Sequence, residues 1–267
     1  MTAPGGSGLS SAERVFGEVA ESVLDQVGRD RVFVAAATTN RQALKRKVAE
    51  GLALCRASGR TPQNTFVYAV IYDSNGNFLL FRKNTKGYFF KGKALSTSGQ
   101  DLHGGDNWTL PGGGLDEVKK IAKRGKITRA VILAGAKREF REETGFELAG
   151  LNLPARAGCW QDRGCVYTAG YFQAEQRLSA IRVSATQRLD AGRRAAQAVA
   201  SGNIRQSSDI RAYPNCENAP LDNELSDGVE TWNVKDCWSE IEPWKQNKHI
   251  NWFANILEHL KNTVIRT

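Results

Sequence analysis

The chain has 267 residues, 41% of them hydrophobic and 24% charged, an ordinary globular balance that suits one large domain or a domain with additions. No apolar run approaches the roughly 18 residues of a membrane-spanning helix, and residues 1–8 lack the basic start and apolar core of a secretory signal, so no membrane partner is expected. Lysine and arginine number 37 against 28 acidic residues, a net charge of +9 spread along the chain, which favours polyanions such as nucleotides or RNA without singling one out.

Five cysteines without a Cys-x2-Cys pair, and three histidines, give neither a disulfide framework nor a zinc motif. Free thiols in a cytoplasmic protein are the simpler reading, with a delivered effector lacking a classical signal as the alternative.

Residues 1–9 read as a flexible tail. Ser10 with Glu13 is a capping-box pattern, and Val15, Phe16, Val19, Val23 and Val27 follow at helical spacing. Asn40 opens a second predicted helix through Leu44, Val48, Leu52 and Cys55. Residues 10–63 therefore form a helical addition that ends in linker composition. Thr65 to Asp73, rich in β-branched and aromatic residues, predicts a strand. Ser74-Asn75-Gly76-Asn77 predicts a tight turn, because Asn-Gly accepts positive φ angles, and Phe78 to Lys83 returns. Residues 84–107 read as a long loop. A helix is predicted from Arg129 to Glu143, with Gly145 placed for a left-handed stop. Gly164 to Gln173 predicts a strand, residues 176–201 a long helix, 202–223 a polar loop, Val229 to Val234 a last strand, and Trp252 to Val264 a closing amphipathic helix.

The informative segment lies at the end of the 129–143 helix. Glu139, Glu142 and Glu143 stand at i, i+3 and i+4 and share one helix face. Left alone, three carboxylates in one arc repel. They suit a hard divalent cation that takes oxygen ligands, and equally a solvated acidic helix end. Leu133, Ala136 and Phe140 form a neighbouring stripe able to dock the helix on a sheet, and Arg138 is placed to orient Glu142.

Together with the upstream turn Leu110-Pro111-Gly112-Gly113-Gly114-Leu115-Asp116, this segment resembles the Nudix hydrolase signature G-x5-E-x7-R-E-U-x-E-E-x-G-U. Arg138, Glu139, Phe140, Glu142, Glu143, Gly145 and Phe146 match its second half. The first half departs: counted from Gly113 the first glutamate falls on Lys119, and counted back from Arg138 it falls on Ala130. Arg138 thus lies 11 positions beyond its expected place, and the missing glutamate has Asp116 or Glu117 as candidate substitutes.

The resemblance implies an α/β fold, an α/β/α sandwich with a mixed sheet over residues 64–267, carrying insertions near 117–129 and 175–222. The first insertion is basic. The second is expected as a lid or a dimer contact, leaving a homodimer open. The implied activity is Mg²⁺-dependent hydrolysis, with Mn²⁺ as the alternative ion, of the diphosphate linkage in a nucleoside diphosphate derivative such as a dinucleotide, nucleotide sugar or dinucleoside polyphosphate. RNA 5′-end hydrolysis or decapping and non-catalytic nucleotide sensing are the alternatives. Glu139, Glu142 and Glu143 are the implied metal ligands. Glu139, Arg138 and Glu142 are the catalytic candidates, and Glu139 doubles as the base. Asp222, Glu224 and Asp227 are further acidic candidates from a loop. Arg82, Gly113 and Trp108 are expected to meet substrate. Lys83 is a second phosphate candidate, and Tyr88, Phe89 and Phe90 are divided between base stacking and core.

Overall fold

The computed structural model describes residues 64–115, 127–162 and 165–265. The expected tail and helical addition over residues 1–63 lie outside the described residues, as do Asp116, Glu117 and the basic stretch through Lys126. In chain order the elements are β1 (Asn64–Tyr72), β2 (Asn77–Lys83), the short strands β3 (Lys86–Gly87), β4 (Phe89–Phe90), β5 (Lys93–Ala94) and β6 (Gln100–Asp101), then β7 (Trp108–Thr109), β8 (Gly112–Gly114), α1 (Arg129–Thr144), β9 (Ala155–Asp162), β10 (Cys165–Gln173), α2 (Leu178–Ala200), β11 (Leu225–Asn233), α3 (Trp238–Ile241) and α4 (Asn251–His259).

The main sheet runs β11-β2-β1-β10-β9, with β7 added to β2 and β8 to β1. β1 and β10 are parallel over their whole length, and the other pairs are antiparallel, so the sheet is mixed. Because successive strand residues face opposite sides, the sheet sorts its apolar residues into two cores. Val67, Ala69, Ile71, Leu79 and Phe81 face α1 and α2. Tyr68, Val70, Tyr72, Phe78 and Leu80 face α4 and the segments leading to it. Helices on both faces of a mixed sheet make the expected α/β/α sandwich.

Helix α1 starts where the Thr128 hydroxyl accepts the Val131 N–H at 3.3 Å, satisfying one of the free donors of its first turn. Ile132, Ala136 and Phe140 are buried on the sheet, with Leu133 partly covered. The approach is tight: a Cβ added to Gly170 of β10 would lie 2.8 Å from the Ala136 Cβ. The helix stops at Gly145, whose φ of 71° is the left-handed conformation that lets its N–H reach the Arg141 carbonyl at 2.8 Å.

Helix α2 is not a lid. Leu178, Ile181, Ala185 and Leu189, spaced three and four apart, share the core of α1, and the helix forms a wall of the sandwich. Its C-terminal half, with Ala195 and Val199, joins Phe89, Ala94, Ile204, Ile210 and Cys216 in a third cluster beneath the 202–223 loop. Strand β9 was not expected. β11 starts four residues ahead of its predicted start, with a register shift between Leu225 and Val229. The closing helix is α-helical to His259 and continues as a π-type turn over Leu260–Val264. Among the described residues, no helix is long and apolar enough to cross a membrane.

Candidate active site

The C-terminal half of α1, the β8 turn and the loop before β11 meet at a cavity of about 510 Å³. Arg138 is the hinge of its floor. One guanidinium nitrogen, Nη1, lies 2.8 Å from Glu139 Oε1 and 2.9 Å from Glu142 Oε2. The other, Nη2, donates to the Gly114 carbonyl at 2.9 Å. The arginine therefore ties helix to turn through a backbone oxygen of β8.

The turn comes as close as it does because it is glycine. A Cβ on Gly113 would lie 2.7 Å from Glu139 Oε2, inside contact distance. Next to it, the Gly112 N–H donates to Glu143 Oε2 at 3.1 Å. The second wall is acidic. Leu221 and Asp222 both donate their backbone N–H to the Glu142 carbonyl, at 2.8 and 3.0 Å, which fixes the loop on the end of α1. Asp222 Oδ1 accepts the Lys91 N–H at 2.7 Å, and Glu224 pairs with Lys83 at 2.9 Å.

Five carboxylates, Glu139, Glu142, Glu143, Asp222 and Glu224, thus line one cavity. Burial pushes the Glu139 carboxyl up to about 7, reinforced by the Glu142 and Asp222 charges and opposed by Arg138. Burial, with Glu224 and Glu139, raises Glu143 well above the ordinary carboxylate range, against Lys83 and the Gly112 N–H. Asp222 is raised to about 6, again first by burial, then by Glu142 and Glu224, with the Lys91 N–H opposing. All three shifts come first from burial, with like charge among the acids adding to them. Such an all-oxygen donor set suits a hard divalent cation in its chemistry. Among the described residues, no three acidic, histidine or cysteine side chains are already gathered tightly enough to hold an ion. Arg138 is the cation that Glu139 and Glu142 share.

The third wall is aromatic. Phe66 of β1 and Tyr167 of β10 stack with centroids 5.6 Å apart and planes 18° apart. Tyr167 stacks on Trp252 of α4 at 5.4 Å and 11°. Trp108, Phe90, Lys83 and Lys91 also line the cavity.

The predicted Arg138, Glu139, Glu142, Glu143, Gly113 and Trp108 all line this cavity, as do Asp222 and Glu224. Arg82 does not. Its side chain pairs with Asp106 at 2.9 Å and lies over the Trp108 ring, outside the lining, because alternation along β2 turns Lys83 inward instead. Asp227 faces Arg193 on α2. Phe89 is buried in the third core cluster and Tyr88 packs against it, leaving Phe90 for the cavity. Sequence reasoning missed Phe66, Tyr167 and Trp252 as a unit. They come from three separate elements, and only the parallel β1–β10 register sets Phe66 opposite Tyr167.

No family model and no curated protein matches the chain. Solved structures do show likeness. The DR0079 protein from Deinococcus radiodurans is 12% identical over 75% of this chain and 85% of its own, with a TM-score of 0.36. An Ap4A hydrolase from C. elegans is 14% identical over 74% of this chain and 93% of its own, with a TM-score of 0.32. A bifunctional NMN adenylyltransferase/ADP ribose pyrophosphatase from Francisella tularensis is 21% identical over 54% and 38%, with a TM-score of 0.25.

Proposed function

We propose that the chain is a divalent-cation-dependent hydrolase that cleaves the diphosphate linkage of a nucleoside diphosphate derivative. The observation that carries this reading is the floor of the cavity: Glu139 and Glu142 on one arginine, with buried Glu143 held against a glycine turn. Glu139, Glu142 and Glu143 would hold Mg²⁺ or Mn²⁺. The ion, when bound, supplies positive charge for the diphosphate oxygens and a more acidic water.

The chain's own residues have distinct tasks in this reading. Arg138 fixes the rotamers of Glu139 and Glu142 and releases neither to solvent. Glu139, set against the Gly113 turn, is the candidate to take a proton from the attacking water. Lys83 and Lys91 bring positive charge to the acidic wall, where phosphate would enter. The stacked Phe66, Tyr167 and Trp252 rings give the cavity an aromatic lining against which a nucleobase can pack.

The experiment is a panel of nucleotide sugars, dinucleotides, dinucleoside polyphosphates and capped or 5′-triphosphate RNA, incubated with Mg²⁺ or Mn²⁺ and read by product chromatography. Cleavage of a small-molecule diphosphate that disappears in Glu142→Gln supports the reading. Binding without turnover of any member means a sensor, and turnover confined to RNA means an RNA 5′-end enzyme.

A further inference from the structure

His103 and His249 are two of the three histidines in the chain. They stand 146 residues apart in sequence, yet His103 Nε2 and His249 Nδ1 are 3.3 Å apart. Their ring centroids are 4.9 Å apart with planes tilted 59°. Both belong to the lining of the cavity that holds the carboxylates.

Each imidazole rides on a braced turn. Beyond His103, the backbone at Gly105 presses so hard on the chain at residues 84–85 that a Cβ would lie 2.7 Å from the Thr85 Cα. Asn107 Nδ2 donates to the carbonyls of Gly104 and Gly105 at 3.1 and 3.2 Å, closing the turn. On the other side, Asn247 Oδ1 accepts the His249 N–H at 3.0 Å, and buried Ile250 anchors the next residue. The pairing of the rings is therefore set by two independently held loops.

In this structure the two nitrogens are within hydrogen-bond range, one donating to the other according to tautomer, and the same separation suits one shared ion. A tetrahedral ion with bonds of about 2.0–2.1 Å to imidazole holds two ligand nitrogens roughly 3.3–3.4 Å apart. The observed separation already has that value. Imidazole also prefers borderline ions, whereas carboxylates prefer hard ones. We propose that His103 and His249 form a second cation site, for a borderline divalent ion of the Zn²⁺ class, chemically separate from the carboxylate floor. With two protein ligands the ion is exchangeable, and its remaining positions are free for water or for an anionic group in the cavity. The zinc motifs that the sequence lacks are local spacings, and this pair is assembled only by the fold. The proposal does not depend on the hydrolase reading.

The test uses the full-length ¹⁵N-labelled protein in excess Mg²⁺, titrated with Zn²⁺ and followed through the ring nitrogens of its histidines. His259, packed against Trp160 and Tyr171 and absent from the cavity lining, is the internal reference. The expected result is that the ring signals of His103 and His249 shift together at one equivalent while His259 stays still. His103→Asn and His249→Asn should each weaken Zn²⁺ binding by at least the roughly tenfold that follows loss of even an outer partner of a metal ligand. A Glu139→Gln, Glu142→Gln double variant should keep the Zn²⁺ response, which separates this site from the carboxylate one. Zn²⁺ that leaves both imidazoles unmoved, moves only one, or binds the histidine variants as tightly as the wild type overturns the proposal. Unchanged thermal melting of the variants excludes misfolding as the cause of a loss.

Discussion

Helices α1 and α2 lie on the same face of the sheet, and each carries arginine–carboxylate pairs within the helix. On α1, Arg138 holds the neighbouring Glu139 and, one turn on, Glu142. On α2, Asp190 pairs with Arg193 and Arg194 one turn on. The local chemistry is the same, and the surroundings reverse its outcome. The α2 side chains are 34–47% exposed, and the Asp190 carboxyl is held below its ordinary value, first by the Arg193 hydrogen bond. On α1 the Glu139 side chain is 9% exposed, and burial outweighs the arginine, so its carboxyl is driven up to about 7. An arginine at hydrogen-bond distance does not by itself make an acid strong. Water decides, and α1 places its pair where water is scarce, a cost that a catalytic or ligand-binding role would explain.

The largest expected consequence lies in activity. Glu139→Gln is predicted to lower metal-dependent turnover by about 10²-fold or more, measured as kcat on the substrate found in the panel. The same change removes a buried charge, so the cation-free variant should melt no lower than the wild type. A variant with full activity would place Glu139 outside the chemistry.

Next comes the clasp itself. Arg138→Ala removes the cation beside buried Glu139 and partly exposed Glu142 and should cost about 1–3 kcal/mol in urea unfolding. Arg194→Ala on α2 should cost at most about 1 kcal/mol, because exposed pairs contribute little. Equal losses at the two positions would remove the distinction between the helices.

Gly113→Ala asks how closely the turn must approach. The added Cβ would meet Glu139 Oε2 at 2.7 Å, and only the flexible end of that side chain can yield. A loss of roughly tenfold in kcat with little change in Tm is expected, since a small misplacement of a reacting group is felt mainly in rate. A wild-type rate would show that the position of Glu139 is not critical.

The smallest effect is on pH dependence without divalent cations. Glu139 and Asp222 have folded-state values of about 7 and about 6 against ordinary values of 4.5 and 3.8. The folded state therefore keeps protons that the unfolded state has released. Their stabilising contribution is complete below the ordinary values and is lost as pH rises toward about 7. Asp190 has the opposite sign: its contribution is present above 3.8 and lost as pH falls through its lowered value. Thermal melts should show Mg²⁺ raising Tm more at about pH 7.5 than at about pH 5. Glu139→Gln should flatten that difference. An equal Mg²⁺ effect at both values would count against cation binding by these acids.

What the sequence disclosed follows the range of the forces involved. The turn at Asn75-Gly76, the start and stop of α1 and its docking stripe are local, and they lie within a residue or two of where pattern places them. Strand β9 escaped notice because it lies at the edge of the sheet, and Gly158 and Trp160 blur its alternation. The floor of the site was legible because three of its carboxylates sit on one helix turn. The aromatic wall was not, since Phe66, Tyr167 and Trp252 are joined only by strand register and by the packing of α4. Arg82 and Lys83 are both phosphate candidates by sequence, and the period of two along β2 brings only Lys83 into the cavity lining.

The two amides of Leu221 and Asp222 that converge on the Glu142 carbonyl oxygen couple the opening of two segments distant in sequence. The last turn of α1 and the acidic end of the 202–223 loop are one unit for local unfolding. In native-state hydrogen exchange these two amides should report the free energy of fraying the helix end, not that of loosening the long polar loop to which they belong in sequence. Disorder elsewhere in that loop could then come and go without disturbing the five acids.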